Sequence, residues 1–335
     1  MYNYAIIGFG GLGKKHLSNL SLLEKERGDF RLCAICGADE NSVKENVKLN
    51  LGDVDISSID FSSCHFYQDY KELIAKEKLD FVISTLPTYL HEEVAVYALE
   101  HKIHVFSEKP MALSLESCEN MINAATRNNK KLMIGQCLRF SPMYAKLKEY
   151  IDNKTFGRAY RAEFTRYSQK PLWTWNNWIL DPKMSGGCAL DMHVHDVDLI
   201  NWFFGTPNSL YSAVTEQKAG LEAIFTQYYY DDLLVLANAD WSMTQTFPFE
   251  ARCLVNFTDA TVVAIDDKLI VYKDDEIFEA EIPNKDFFVE EMRAFLKIVI
   301  DDEKCGITSP ESVMESVRMA LKEIEVAKEK NRLLF

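Results

Sequence analysis

The sequence predicts an α/β protein with two domains, a doubly wound parallel sheet in the N-terminal part and a meandering, mostly antiparallel sheet in the C-terminal part. Short apolar runs alternate with helical patterns as far as residue 135, which is typical of a parallel sheet. After Gly205, β-like runs follow one another with only turn residues between them. The chain has 335 residues, and single hydrophobic cores seldom grow beyond about 250–300 residues. We place the domain division after residue 122.

Composition and charge favour a soluble, globular protein of the cytoplasm. With 47% hydrophobic and 26% charged residues the chain can bury its cores, and its net charge of -14 disfavours binding to nucleic acid or to an anionic membrane. The eight cysteines lack the spacing of a disulfide framework or a zinc site, which is typical of a reducing compartment. The chain starts with a strand pattern and has no run of about 18 apolar residues, so we expect no signal peptide and no membrane span. The expected partner is a small molecule.

The first strand, at Tyr4–Ile7, runs into the glycine-rich segment GFGGLG at residues 8–13. This segment has GxGxxG spacing, and a helical pattern follows over residues 12–26. The glycines of such a segment allow a tight turn, close approach of a pyrophosphate and close packing of helix on strand, while the helix N-terminus faces the phosphates. A second strand at Arg31–Cys36 completes the βαβ unit. Together these features predict a dinucleotide site.

The residues after the second strand bear on the choice between NAD and NADP. An NAD site usually offers an acidic residue to the ribose hydroxyls here, whereas an NADP site offers a small residue with Arg or Lys nearby. Gly37 comes first in this chain, Asp39 follows, and Lys44 lies farther along. Asp39 could reach a ribose and Gly37 leaves room for a phosphate, so both cofactors stay open. We favour NAD because no Arg follows closely.

The alternation continues through the rest of the N-terminal part. Residues 40–66 are polar and poorly periodic, which predicts a short helix and a surface excursion. Further helices are predicted at Tyr70–Lys76, His91–His101 and Ser114–Asn128, and further strands at Phe81–Thr85, Ile103–Phe106 and Lys131–Gly135.

Lys109 lies in the segment SEKP, just beyond a predicted strand. Pro110 restricts the residue before it to an extended conformation, so the ammonium projects from a stiff strand end. Ligands of doubly wound sheets bind at the carboxyl ends of strands, which makes Lys109 a candidate site residue. A surface lysine paired with Glu108 explains the spacing equally well.

In the C-terminal part, Ser141 and Pro142 predict the start of a helix, and Arg158–Tyr167 alternates as a strand with one buried face. The segment PLWTWNNWILDPKMSGG, residues 171–187, is rich in tryptophan and has no period. It predicts either an aromatic loop over a site or a loop that buries its own tryptophans. Strands are predicted at Ser209–Glu216, Glu222–Tyr230, Leu233–Trp241, Glu250–Phe257, Thr261–Ile265 and Leu269–Tyr272, and closing helices at Phe287–Val299 and Pro310–Lys328.

The segment DMHVHDVD, residues 191–198, places Asp191 and His195 four positions apart, so one helix would carry both on one face. A carboxylate and an imidazole suit proton transfer, since the ordinary pKa of histidine, about 6.5, lies close to working pH. On the same helix His193 would point away, as a packing or rim histidine. With Asp196 and Asp198 these residues could also be metal ligands, but no further ligand stands at a telling spacing. Metal-assisted oxidation therefore ranks low.

Five motifs together resemble the Gfo/Idh/MocA oxidoreductases, a family that includes glucose-fructose oxidoreductase and inositol dehydrogenase. They are GFGGLG at 8–13, STLPTYLH at 84–91, HVFSEKP at 104–110, GQCLRFSP at 135–142 and GGCALDMHVHDVD at 186–198. The resemblance implies an N-terminal Rossmann domain and a C-terminal α/β domain with a large, open, mostly antiparallel sheet. It also implies that this sheet forms a subunit interface, as in a homodimer or homotetramer, and that Lys109, Asp191 and His195 line the substrate site. Gly37 departs from the family, because many members carry the ribose-binding acid there.

From the motifs and the resemblance we predict the site residues. The expected cofactor contacts are Gly8, Phe9, Gly10, Gly11, Leu12, Gly13, Asp39, Thr85, Leu86, Pro87, His91, Glu108, Lys109 and Gln136. The expected substrate contacts are Lys109, Arg139, Trp178, Asp191 and His195, of which Lys109, Asp191 and His195 are catalytic. For Arg139, a salt bridge beneath the site is an equally good interpretation. No metal is expected.

The predicted activity is hydride transfer between the nicotinamide of NAD or NADP and a hydroxyl-bearing carbon of a sugar, inositol or related polyol. His195 would take the hydroxyl proton, Asp191 would accept a hydrogen bond from the substrate or the imidazole, and Lys109 would stabilise negative charge on the reacting oxygen. Two alternatives on the same fold stay open. One is a non-enzymatic NAD(P)-sensing regulator, and the other is an NAD-dependent glycosidase in which cofactor oxidation is transient.

Overall fold

The structure is a computed structural model that describes residues 1–38, 43, 47–49, 52–217, 220–304 and 306–329. The strands are β1 Tyr2–Ile7, β2 Phe30–Cys36, β3 Val47–Leu49, β4 Gly52–Val54, β5 His65–Tyr67, β6 Phe81–Ser84, β7 His104–Glu108, β8 Leu132–Gly135, β9 Ala159–Gln169, β10 Ser209–Gln217, β11 Gly220–Tyr229, β12 Leu234–Met243, β13 Glu250–Phe257, β14 Thr261–Ile265, β15 Lys268–Tyr272 and β16 Ile277–Glu279. The helices are α1 Gly11–Arg27, α2 Tyr70–Lys76, α3 His91–Glu100, α4 Leu115–Asn128, α5 Pro142–Asp152, α6 Pro182–Ser185, α7 Gly187–Asp191, α8 Val194–Phe204, α9 Phe287–Ile300 and α10 Pro310–Glu329. The chain divides into two compact units, Met1–Cys137 with Asp286–Glu311 and Leu138–Lys285 with Ser312–Phe335.

The first unit is built on a six-stranded parallel sheet with the order β5-β2-β1-β6-β7-β8. Numbered along the chain within this sheet, the order is 3-2-1-4-5-6, which is that of a dinucleotide-binding Rossmann fold. Residues 4–7 of β1 form an apolar run with no exposed surface, because both faces of the sheet are covered there. The prediction of a doubly wound parallel sheet is confirmed.

Two predictions for the first unit need comment. The sequence predicts a short helix and a surface excursion at 40–66, of which the structure describes residues 43, 47–49 and 52–66. This described part contains the antiparallel pair β3 and β4, and β5 joins the parallel sheet beside β2. Strands of three residues are too short to display a period of two. The helix α9, predicted to close the C-terminal domain, belongs to the first unit, where Arg293 donates to Glu26 of α1 at 2.6 Å. Sequence periodicity marks a helix and does not say which sheet it covers.

The compact units also differ from the division that we placed after residue 122. Strand β8 lies beyond that point and pairs with β7, from Val105↔Leu132 to Glu108↔Gly135. Hydrogen bonds to a neighbouring strand keep β8 in the first unit, whose first segment therefore extends to Cys137.

The second unit is built on an eight-stranded sheet with the order β10-β11-β12-β9-β13-β14-β15-β16. Neighbouring strands are antiparallel except β9 and β12, which are parallel. The mostly antiparallel sheet is thus confirmed, with β16 as a strand that the sequence did not predict. On one face of β9 the side chains of Ala162, Phe164 and Arg166 are buried, and Phe164 packs against Phe203 of α8. The alternating residues on the other face are half-buried, which leaves this face of the sheet open.

Within the ranges that the structure describes, no helix is both long enough and apolar enough to cross a membrane.

Candidate active site

The GFGGLG segment connects the end of β1 to the start of α1. Gly8 has a φ of +94°, a conformation that side chains disfavour, and a Cβ on Gly13 would lie 2.4 Å from the carbonyl oxygen of Gly8. A Cβ on Gly10 would have no heavy atom within 4 Å. No side chain caps α1, so the N–H groups of its first turn, which includes Gly11 and Leu12, can bind an anion.

The loop after β6 lies beside the glycine segment and is held by buried hydrogen bonds. Thr85 donates its hydroxyl hydrogen to the carbonyl oxygen of Gly8, and its N–H donates to Ile7 at 2.9 Å. Both ring nitrogens of the buried His91 lie 2.8 Å from backbone carbonyls, those of Pro110 and Leu86. Burial lowers the pKa of His91, and the contacts with the two carbonyl oxygens offset only part of this shift. Pro87 ends the loop ahead of α3.

Gly37, the departure from the family pattern, has a backbone explanation. Its φ of +92° lies in the left-handed region, where any side chain would be strained. The backbone conformation alone therefore explains the glycine, and space for a ribose phosphate is not needed to explain it. Asp39, the predicted ribose ligand, and Lys44 lie outside the described residues.

Glu108 is the last residue of β7 and Lys109 follows it, and the two side chains differ in exposure. Glu108 is buried and lies 2.6 Å from Nε2 of His16 on α1, and it accepts a hydrogen bond from the backbone N–H of Lys109 at 3.1 Å. Burial raises the pKa of Glu108, but the contacts with His16 and Lys109 outweigh it and the pKa is lowered. Lys109 itself is partly exposed between buried neighbours. A buried carboxylate thus holds the backbone from which the lysine projects.

Several observations show that the first unit fits a dinucleotide cofactor. Gly10 leaves open space in front of the first turn of α1, and Phe9 is buried next to it. Gln136, at the end of β8, is 1% exposed, and its Nε2 lacks a hydrogen-bond partner among the described residues. An unpaired buried donor at a strand end is suited to a ligand, since burying it without a partner is costly.

The helix predicted over DMHVHDVD is interrupted. Helix α7 ends at Asp191 and α8 begins at Val194, with the N–H of His193 bonded to the carbonyl oxygen of Cys188 at 2.8 Å. From Leu190 to Ile200 every side chain is buried except those of Asp191 and His195, which are partly exposed. The two candidate catalytic groups are therefore the accessible ones of this stretch, on either side of a break and not on one continuous helix.

His193 is not a rim residue, because its side chain is 0% exposed. Its Nδ1 lies 3.6 Å from Asp196 and its Nε2 lies 3.5 Å from Glu323 of α10. Asp196 in turn accepts two hydrogen bonds from Arg166 of β9, at 3.0 and 2.9 Å. Among the described residues no group of three or more His, Cys, Asp or Glu side chains could hold a metal ion.

Arg139 is the salt-bridging residue of the second interpretation. Its guanidinium donates twice to Asp198 at 2.7 Å and once to Ser312 at 2.9 Å, and the residue is 2% exposed. Asp198 also accepts from Ser316 at 2.7 Å. These contacts favour the interpretation of Arg139 as a salt-bridging residue beneath the site, because a buried ion pair is costly to break.

Within the tryptophan-rich segment, Trp178 differs from its neighbours. Trp173 and Trp175 are 58% and 71% exposed, whereas Trp178 packs against a core cluster that contains Cys188 and Met192. The segment therefore combines both predicted interpretations, an exposed aromatic tip and a tryptophan anchored beside the turn that carries Asp191.

Sequence reasoning missed the residues that hold these groups in place. His16 could have been found as a histidine three positions after the last glycine of the GxGxxG motif, on the buried face of α1. Glu323 and Arg166 carry no such signal, because each lies far along the chain from its partner.

The comparisons with known proteins agree with this architecture. A model described as an oxidoreductase family with an NAD-binding Rossmann fold matches residues 2–136, and the GFO/IDH/MocA C-terminal domain matches residues 144–263. The two matches together cover most of the chain, which therefore belongs to the Gfo/Idh/MocA oxidoreductase family.

Individual proteins of known name or structure share about a third or less of their aligned residues with this chain. Myo-inositol 2-dehydrogenase of Thermotoga maritima is 32% identical over 200 residues, which are 60% of this chain and 54% of that protein. The scyllo-inositol 2-dehydrogenase (NADP(+)) of Bacillus subtilis is 27% identical over 218 residues, which are 63% of this chain and 60% of that protein. The chain thus spans little more than half the length of these relatives. A solved oxidoreductase structure from Thermotoga maritima shares the fold, with a TM-score of 0.81 at 17% identity over 97% of this chain and 96% of the other.

Proposed function

We propose that the protein is an NAD(P)-dependent dehydrogenase that oxidises a hydroxyl-bearing carbon of a sugar, inositol or related polyol, or reduces the corresponding carbonyl. The observation that carries the proposal is the exposure pattern at residues 190–200, where Asp191 and His195 alone are accessible, on a chain whose first unit has a dinucleotide cradle. Inositol dehydrogenases among the relatives, including the two described above, support the substrate class.

The roles follow from the chemistry of each side chain. His195 takes the hydroxyl proton as general base, and Asp191 accepts a hydrogen bond from a substrate hydroxyl or from the imidazole. Lys109 donates to the reacting oxygen and stabilises the negative charge that develops on it. The nicotinamide supplies the hydride chemistry when the cofactor is bound. Trp178, anchored against the core, offers an apolar wall for one face of a sugar ring.

For the cofactor we propose NAD. The backbone conformation of Gly37 accounts for the missing side chain, so glycine there does not argue for NADP. The name of the relative from Bacillus subtilis includes NADP(+), so the assay should compare both cofactors. The cytoplasmic location expected from the cysteines stays a prediction.

We also propose that two copies of the chain associate through the open face of the eight-stranded sheet. Pairing of Ala213 with Phe225 and of Tyr211 with Gln227 puts Tyr211, Phe225 and Tyr229 on this face. Their exposures of 42%, 39% and 42% are high for aromatic residues. Size-exclusion chromatography with light scattering tests the proposal, which a monomer at micromolar concentration contradicts.

A screen of sugars and polyols by the absorbance of the reduced cofactor, with NAD and NADP in parallel, tests the activity. Lys109→Ala and His195→Ala should each lower turnover by a factor on the order of 100 or more. Lys76→Ala and His101→Ala, at exposed positions on the first unit, are matched controls that should leave turnover unchanged. Near-normal rates in the first two variants defeat the assignment.

Two further assays, with glycosides as substrates and with NADH as a ligand, distinguish the alternatives. Release of free sugar from a glycoside without net reduced cofactor indicates the glycosidase. Tight binding of NADH without turnover of any polyol indicates the non-enzymatic sensor.

A further inference from the structure

His193 occupies the break between the two helices that carry the candidate catalytic pair. Asp191 is the last residue of α7, and His195 is the second residue of α8. The backbone of His193 is part of both helix ends, since its N–H bonds to Cys188 at 2.8 Å and its carbonyl accepts from Asp196 at 2.9 Å. Any displacement of His193 therefore moves the backbone on both sides, toward Asp191 and toward His195.

The side chain of His193 is fixed by charges from three other elements. On one side it faces Asp196, which Arg166 of β9 holds through two hydrogen bonds. On the other side it faces Glu323 of α10, whose carboxylate accepts a hydrogen bond from the hydroxyl of Tyr228 on β11. These contacts connect the break between α7 and α8 to β9, β11 and α10.

The cluster is balanced only while His193 carries a proton. Burial lowers the pKa of His193, but Glu323 and Asp196 outweigh it and raise the pKa to about 9. Burial raises the pKa of Glu323 and the contact with His193 lowers it, so the charges of these two groups depend on each other. With both groups ionised, two positive groups, Arg166 and His193, face two carboxylates. The other titratable groups packed around the cluster, Cys188, Cys253 and Tyr144, stay neutral because burial raises the pKa of each. Loss of the proton would leave one buried carboxylate without its partner, which is costly in the interior.

We propose that His193 is a positioning residue, whose imidazolium, clamped between Asp196 and Glu323, holds the break between α7 and α8 in the form that presents Asp191 and His195. The inference rests on the proposed function for the catalytic role of that pair. An ordinary buried histidine would be neutral and hydrogen-bonded to neutral groups, whereas this one is enclosed by two carboxylates.

The test combines Glu323→Gln with a histidine NMR titration of the full chain. The substituted amide keeps the size of the side chain and an oxygen for the hydroxyl of Tyr228, but removes the charge that faces His193. The substitution should lower the pKa of His193 from about 9 toward neutrality. The matched control is Glu325→Gln, the same change on α10 at an exposed position paired with Lys322.

With the polyol found in the screen, the alkaline limb of the kcat profile should move to lower pH in Glu323→Gln, so that kcat at pH 8.5 falls about tenfold. At pH 6, where His193 is again protonated, the rate should return to that of the wild type. KM for the dinucleotide should not change, because its glycine segment belongs to the first unit. A fixed packing defect would lower kcat equally at all pH values and would overturn the proposal.

The NMR titration requires neither a known substrate nor a variant. In the wild type the ring signal of His195 should move a second time as His193 loses its proton. The positioning role is refuted if the ring signal of His195 does not shift while His193 titrates. It is also refuted if the pKa of His193 in the wild type is ordinary or lowered. If no polyol is turned over, the proposed function fails while the NMR titration still decides the role of His193.

Discussion

Gly10, the N-cap of α1, and Gly13, in its first turn, should respond differently to an added methyl group. A Cβ on Gly13 would lie 2.4 Å from the carbonyl oxygen of Gly8 and 3.0 Å from Oγ1 of Thr85. The first separation is about 1 Å shorter than an ordinary van der Waals contact. Because the nearest atom belongs to the backbone, the helix itself must move, and overpacking of this kind costs about 1–3 kcal/mol.

Gly13→Ala should therefore destabilise the protein although alanine is the better helix former. Replacing glycine by alanine inside a helix favours folding by about 1 kcal/mol. A clash at the upper end of the overpacking range exceeds this gain and leaves a net loss of about 2 kcal/mol.

Gly10→Ala should instead affect the cofactor and leave the fold nearly unchanged. Gly10 has φ −80° and ψ −159°, which alanine adopts freely, and no heavy atom lies within 4 Å of an added Cβ. The loss of stability should stay below about 1 kcal/mol, the difference expected for a helix N-cap. A methyl group in this space would keep the pyrophosphate from the backbone, so affinity for NADH should fall at least tenfold, about 1.4 kcal/mol.

Denaturant unfolding followed by circular dichroism measures the first quantity, and titration of nicotinamide fluorescence measures the second. The expected pattern is loss of stability in Gly13→Ala and loss of affinity at normal stability in Gly10→Ala. Wild-type affinity in Gly10→Ala would show that the phosphates do not approach there, and wild-type stability in Gly13→Ala would refute the close packing of α1 on β1.

Two further predictions concern buried carboxyl groups. Glu291 of α9 is fully buried, and burial together with the nearby Glu108 raises its pKa well above the ordinary value. Its protonated form therefore stabilises the protein. This stabilisation is fully present below the unfolded pKa and is lost as pH rises through the folded pKa. Glu291→Gln should match the wild type near pH 4, about the unfolded pKa of a glutamate, and exceed its free energy of unfolding near pH 9. Parallel pH profiles of the two proteins would contradict this. Asp198→Asn leaves the buried guanidinium of Arg139 without its counter-charge and should cost about 3–5 kcal/mol in urea unfolding, against no measurable loss for the exposed Asp152→Asn. A loss below about 1 kcal/mol would contradict the buried pair.

The fold could be predicted where local pattern and packing agree. The strand at 81–84 is an apolar run because the sheet buries both of its faces, and the helix at 70–76 has Asp69 as an N-cap that accepts two backbone hydrogen bonds. The strand β5 escaped prediction because a three-residue strand has no period to detect. The break at Met192–His193 also escaped, since the residues around it are compatible with a continuous helix.

The sequence by itself determined the alternation of strands and helices in the N-terminal part, the glycine segment and the candidates Lys109, Asp191 and His195, because each depends on residues close together in the chain. Only the tertiary structure decided that Arg139 lies in a buried pair with Asp198, that α9 belongs to the first unit and that His193 is clamped between carboxylates. These outcomes depend on contacts between residues as far apart as Glu26 and Arg293. The charge on a buried side chain is set by the groups that folding brings around it, and no local spacing records them.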